Sequence, residues 1–179
     1  MNRVMCIVAM VGALLGLSAC EKQQGTSAAP ASSTSASAAL PGTLFLASAP
    51  AEAMGVKAAK AGAKPGDKVV LVGRVGGSKE PFVPGRAVFT VVDTAVKSCA
   101  DNPEDTCTTP WDYCCESRDE ITANAATVQV TGADGQPLKA GLEGVHGLKG
   151  LSVVTVVGTV AQAEGPNLLV RAEGIHIAP

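Results

Sequence analysis

Four cysteines gather in one short stretch of the chain: Cys99, Cys107 and the consecutive pair Cys114-Cys115. Thiols at this density support three kinds of chemistry. They can be bridged in pairs as disulfides, they can hold Zn²⁺, Cu(I) or an iron–sulfur cluster as thiolates, or Cys114-Cys115 can work as a redox switch. Spacing weighs on the choice. No Cys-x-x-Cys pair occurs, and adjacent cysteines chelate one ion awkwardly. Two disulfides are therefore the leading expectation, with Zn or Cu at Cys99, Cys107, Cys114 and Cys115 as the alternative. Bonding Cys114 to Cys115 would close a strained small ring, so each is expected to join one of Cys99 and Cys107. The spacing leaves open which joins which.

The same stretch carries Asp101, Glu104, Asp105, Asp112, Glu116, Asp119 and Glu120 against one base, Arg118. No regular Asp-x-Asp calcium loop is present, so these acids read as a solvated acidic loop. The only Trp and the only Tyr, Trp111 and Tyr113, also lie here. They can pack over the bridged sulfurs as a miniature core, or stack on a sugar or peptide. With Phe82 and Arg86 they make the candidate ligand-binding set; Phe89 reads as core. Catalysis finds little support. Gly-x-Ser-x-Gly, His-Glu-x-x-His, a phosphate-binding loop and a dinucleotide fingerprint are all missing, and His146 and His176 are remote in sequence from the cysteines. The expectation is a non-enzymatic protein with no catalytic residues and, apart from the thiol alternative, no cofactor.

Strands must position this chemistry. Aromatics make up 3% of the chain, so a core has to be built from Val, Leu, Ile and Ala, and abundant valine favours strands. Alternation predicts five, at Lys68–Val75, Arg86–Asp93, Ala126–Thr131, Ser152–Gln162 and Leu168–Ile177. Before them, Pro50–Ala61 reads as a short helix with Pro50 in its first turn and Gly62 ending it. The segment from Leu138 to Leu151 has helix-like apolar spacing but is broken by glycines, so it reads as a poor helix or a turn-rich cover. Val72-Gly73-Arg74-Val75 recurs as Val157-Gly158-Thr159-Val160, and glycine within a strand suits a bend or bulge.

At the other end, Arg3 precedes an uncharged apolar run from Val4 to Gly16, closed by Leu17-Ser18-Ala19-Cys20. The run is short for a bilayer span and ends in small residues, as a cleavable leader does. This stretch resembles the leader and lipobox of bacterial lipoproteins. The resemblance implies that residues 1–19 are a signal peptide and that Cys20 is acylated and becomes the first mature residue. The membrane would then be a partner through the lipid. Glu21 stands where some bacteria use Asp for inner-membrane retention, which leans the expectation towards the outer membrane. Cys6 would leave with the leader and Cys20 be consumed by lipid, leaving an even four in a compartment that permits disulfides. The cysteine cluster likewise resembles one in uncharacterised bacterial lipoproteins, a resemblance that adds no activity to the reading.

Residues 20–43 are the lipidated cysteine and a Ser/Ala/Thr-rich linker, unable to bury enough surface to offset ordering. Residues 44–66 form a helical lead-in and 67–179 the β domain, with the Cys-rich insertion at 97–122. The order of elements resembles the OB-fold: an all-β, small five-stranded barrel, with a short helix before it and the insertion between its second and third strands. That resemblance places a binding surface on the loops Gly76–Gly85 and Ala163–Asn167. It does not bring nucleic-acid binding with it. The chain has 14 basic and 16 acidic residues, and loss of Arg3 takes the net charge from -2 to about -3. The functional expectation is a lipid-anchored envelope module binding an envelope protein or glycan; the alternative is metal handling or thiol redox at the four cysteines.

Overall fold

The computed structural model describes residues 39–179, so the leader, Cys20 and most of the linker lie outside the described residues. The described chain is mostly strand. Six strands form one mixed sheet: β1 (Met54–Gly55), β2 (Lys68–Val75), β3 (Val88–Val92), β4 (Ala125–Gln129), β5 (Val153–Glu164) and β6 (Asn167–Ile177). Their order is β1-β2-β3-β4-β6-β5, with β2 also paired to β5. Pairing is parallel for β1–β2 and β4–β6 and antiparallel elsewhere. The expected five strands are therefore all present, each with ends shifted by no more than two residues.

Alternation explains why these segments are strands. In β2, Val69, Leu71 and Val75 are buried while Val70, Val72 and Arg74 are partly exposed. The inward residues of β2 meet Phe89, Val91, Val128, Val154, Val156, Val170 and Ile175 in the main core. The two Val-Gly-x-Val glycines earn their places by close approach. A Cβ on Gly158 would stand 2.2 Å from the Arg171 carbonyl oxygen, where the β5–β6 register shifts, and one on Gly73 would stand 2.9 Å from Val91 Cβ. Substituting either one means moving a strand.

Two expectations need correction, and a third resolves to one of its alternatives. The lead-in helix is shorter than Pro50–Ala61: α1 runs from Val56 to Gly62, and Met54–Gly55 pairs instead with Leu71 and Val72 of β2. Gly55 precedes the helix against Asp93, whose carboxylate would be 2.6 Å from a Cβ there. That carboxylate accepts the Lys57 backbone N–H at 2.9 Å, so the helix is capped by a residue from another element. A further helix, α2 (Arg118–Asn124), occupies the acidic stretch read as loop. Its signal was present in Ser117-x-x-Glu120: the Ser117 hydroxyl accepts the Glu120 N–H at 3.1 Å. The segment Leu138–Leu151 forms only a single 3₁₀ turn at Val145–Gly147, yet Leu142 and Leu148 are buried, so it is a turn-rich cover.

Asp93 is 7% exposed, and its carboxylate also accepts the Ala95 N–H at 2.9 Å. It joins β3, α1 and the start of the cysteine segment. Asp93→Ala takes the acceptor from two part-buried hydrogen bonds and is expected to cost about 1–3 kcal/mol in chemical denaturation. Glu173→Gln, at the exposed pair with Lys68, should change stability by less than about 1 kcal/mol. Equal effects would refute this ranking.

Candidate functional site

The chain leaves β3 at Asp93 and returns to β4 after Asn124, and the Asp93 N–H donates to the Asn124 carbonyl at 2.8 Å, tying the neck of this connection. Inside it, two turns of 3₁₀ helix, Cys99–Asp101 and Pro110–Asp112, precede α2. The segment is held to the sheet at two places. On one side Arg74 of β2 donates to Asp101 Oδ2 at 2.6 Å and to Ser98 Oγ at 3.1 Å. Asp101 Oδ2 also accepts the Ser98 N–H at 2.7 Å. Burial pushes the Asp101 carboxyl up, but the Arg74 and Ser98 hydrogen bonds and the Arg74 charge outweigh it and hold it below the usual carboxylate range.

On the other side, Trp111 lies over backbone. Its Nε1 donates to the Lys79 carbonyl at 3.0 Å, and its own carbonyl accepts the Gly77 N–H at 2.8 Å. Its ring rests on Gly150, where an added Cβ would come within 2.8 Å of Cγ and Cδ2. Tyr113 is fully buried with Val92 and Val96, against Ile121 and Ala125, in a second small core. Its backbone is left-handed, at φ 58° and ψ 38°. Its hydroxyl has no hydrogen-bond partner among the described residues, and burial pushes its pKa up.

Behind these anchors the four sulfurs converge as free thiols. Cys99 Sγ is 3.4 Å from Cys114 Sγ and 3.5 Å from Cys115 Sγ, and Cys107 Sγ is 3.6 Å from Cys114 Sγ. Two carboxylates hold the turns. Asp105 accepts the Cys107 N–H at 2.8 Å and the Cys115 thiol at 3.2 Å. Asp112 accepts the Thr109 hydroxyl and the Cys114 N–H, each at 2.9 Å. Burial raises the Asp112 carboxyl, but the Thr109 and Cys114 hydrogen bonds prevail and lower it. At Cys99, burial raises the thiol, yet hydrogen bonds from the Cys115 N–H and with the thiols of Cys114, Cys115 and Cys107 lower it overall. Cys114 is pushed up by its hydrogen bonds with Cys99 and Cys107, and Cys115 is pushed up to about 11 by its bond to Asp105 and then by that with Cys99. Cys99 is the sulfur around which the others are arranged.

The structure thus unites all four cysteines. It separates the candidate ligand set. Tyr113 is internal; Phe82, 7% exposed, packs 5.9 Å from Phe89 in the main core, and Arg86 sits on an exposed turn. Phe82 and Trp111 border one open groove with Lys79, Glu80, Pro84 and Lys149, but Tyr113 and Arg86 do not line it. As stacking faces, Tyr113 and Phe82 are occupied by protein. The histidines stand apart from the thiols: His146 stacks on Phe45 with ring centroids 4.4 Å apart, and neither joins a cysteine group. Asp105 and Asp112 were read as solvated acids. Their signal was the two-residue offset to Cys107 and Cys114, the spacing at which an aspartate accepts a backbone N–H.

Comparison with protein-family models, curated proteins and solved structures gives no match.

Gly150→Ala should tilt the Trp111 ring off its seat, at about 1–3 kcal/mol for overpacking. Because Trp111 is the only Trp, its emission reports the site directly. A red shift is expected; an unchanged spectrum and stability would show that this seat does not hold the segment.

Proposed function

We propose that the chain is a lipid-anchored cell-envelope protein whose folded part is a small OB-like barrel, and that its non-enzymatic binding function is to hold a soft or borderline metal ion at the cysteine cluster. The observation that carries this reading is the convergence of four thiols spread along the chain from Cys99 to Cys115. Two thiolates on one tetrahedral Zn²⁺, with Zn–S of about 2.3 Å, lie roughly 3.8 Å apart. The sulfur separations of 3.4 to 3.6 Å need to open by only a few tenths of an ångström. Zn²⁺ and Cu(I) suit thiolates best.

The barrel reading draws on the strand circuit. β2 to β6 form a closed circuit, because β2 pairs with both β3 and β5 besides β1, and β4–β6 is the parallel contact that a Greek-key crossover requires. On this reading the cysteine segment is the insertion between the second and third barrel strands. The envelope address draws on Leu17-Ser18-Ala19-Cys20, with the outer membrane favoured. Among the described residues no helix is long and apolar enough to cross a membrane, which is compatible with anchoring through lipid.

A second reading has its own observation. The short sulfur contacts form a chain, Cys115–Cys99–Cys114–Cys107. Only one pairing along that chain uses all four: Cys99 with Cys115 and Cys107 with Cys114. If the centre is oxidised, this is the connectivity expected, and each bridge would add about 2–4 kcal/mol.

Intact mass, thiol labelling and elemental analysis of the purified mature protein decide between them. The metal reading expects stoichiometric Zn or Cu and thiols that alkylate only after chelation. A mass lower by four hydrogens with no metal overturns it and moves the assignment to the two bridges. Peptides linked as Cys99–Cys114 would overturn that pairing as well.

The anchor is tested separately. Cys20→Ser should move the protein from the detergent-extracted membrane fraction to the soluble fraction and abolish acyl mass at the amino terminus. A wild-type chain isolated with residues 1–19 intact and unacylated refutes the lipoprotein reading.

A further inference from the structure

The four cysteines do not stand equivalently around one point. The sulfurs of Cys99, Cys107 and Cys114 and a carboxylate oxygen of Asp112 all lie within 4.8 Å of one another. Cys115 falls outside that set and groups only with Cys99 and Asp105. Resting on the metal-binding reading, we propose that the ion is held by three thiolates and one carboxylate, from Cys99, Cys107, Cys114 and Asp112, and that Cys115 is not a ligand.

Chain geometry explains the division. Cys114 and Cys115 are consecutive, so their side chains leave the turn in different directions. Cys114 faces Cys107 at 3.6 Å, whereas the Cys115 thiol is committed to Asp105 Oδ2 at 3.2 Å. Asp112 is prepared for coordination. Oδ2 is fixed by the Thr109 hydroxyl and Oδ1 by the Cys114 N–H. Each carboxylate oxygen accepts one such bond and keeps a second acceptor site for a cation. Thr109 therefore serves as the outer-shell support that orients a first ligand. The Cys114 N–H bond also couples ligand to ligand, so Asp112 and Cys114 are placed as a unit.

Four donors of mixed sulfur and oxygen type complete a tetrahedral site. The second group supplies three donors and shares Cys99, so the assignment is one ion per chain. Burial is graded across the set. Cys99 is buried, Cys107 and Asp112 are partly covered and Cys114 is exposed, which gives the ion a solvent route on the Cys114 side. Binding replaces the thiol protons with metal–sulfur bonds and releases those protons to water.

Co²⁺ is the probe, titrated into the reduced, metal-free full-length mature protein in detergent, with the thiolate-to-cobalt charge-transfer band as readout. Wild type should bind one ion. Cys115→Ser should leave stoichiometry and band intensity unchanged. Cys107→Ser and Cys114→Ser should each lower the band by about a third, one thiolate of three. Asp112→Asn should keep the band and weaken binding by at least about tenfold. Trp111 emission of each metal-free variant checks that its fold is retained. A band reduced by Cys115→Ser as much as by Cys114→Ser overturns the ligand assignment in favour of four thiolates, as does a stoichiometry of two. No Co²⁺ on the wild-type protein sinks the metal-binding reading itself, a different failure.

Discussion

The cysteine centre depends on one aromatic ring being buried beneath it. Ordering a connection as long as Asp93–Asn124 costs conformational entropy that polar, acidic residues cannot recover. Tyr113 supplies the missing burial, fully enclosed with Val92 and Val96. A large side chain taken out of water gains about 1.5–3 kcal/mol, against about 1–2 kcal/mol for a left-handed backbone. The strained conformation is therefore tolerable only because the ring is inside. Its consequence is positional: the chain reverses at Tyr113, and Cys114 and Cys115 emerge facing two different partners.

Electrostatics then limits what the thiols can do. Asp101 is engaged by Arg74, so its charge is already matched and is not available to a cation. Asp105 and Asp112 stand among the sulfurs held by hydrogen-bond donors, and Asp112 also feels the charge of Lys79. Deprotonating several thiols there would add anions to an acidic pocket, and Cys114 and Cys115 hold their protons firmly, first through hydrogen bonds with neighbouring thiols and Asp105 and then through the nearby carboxylate charge. Two routes relieve that accumulation. A bound cation neutralises it, and bridge formation removes the ionisable groups altogether. Both use the same short contacts.

The strands were legible because a half-buried strand writes its alternation into the sequence, and β2 was read with its bounds intact at Lys68–Val75. Where legibility failed, a distant residue had decided the outcome. Pro50–Ala53 stay out of the helix while Met54–Gly55 pair with β2, and α1 starts where the Asp93 carboxylate meets the Lys57 N–H, a contact 36 positions apart. α2 was legible in Ser117-x-x-Glu120, but the acidic composition around it suggested solvent. For the site, the sequence announced four thiols in one segment and could not order them. Sequence adjacency even misleads, since Cys114 and Cys115 share no assigned partner except Cys99. The seat of Trp111 on Gly150 joins segments too far apart for any spacing rule.

These anchors distinguish the centre from a small zinc module that folds only around its ion. Arg74 of β2, the Gly76-Gly77 backbone beyond it and Gly150 before β5 all grip the cysteine segment from the sheet. A Cβ on Gly76 would lie 2.4 Å from the Trp111 carbonyl oxygen, so this contact admits no side chain. Sulfur spacing is consequently imposed by the strands and only finished by the loop. A site ordered in advance spends little binding free energy on ordering the chain, so affinity there reflects the donors themselves. By the same reasoning, Cys114 and Cys115 are the exposed end of the arrangement and Cys99 its buried end, the sulfur nearest the Arg74, Asp101 and Ser98 contacts with the sheet.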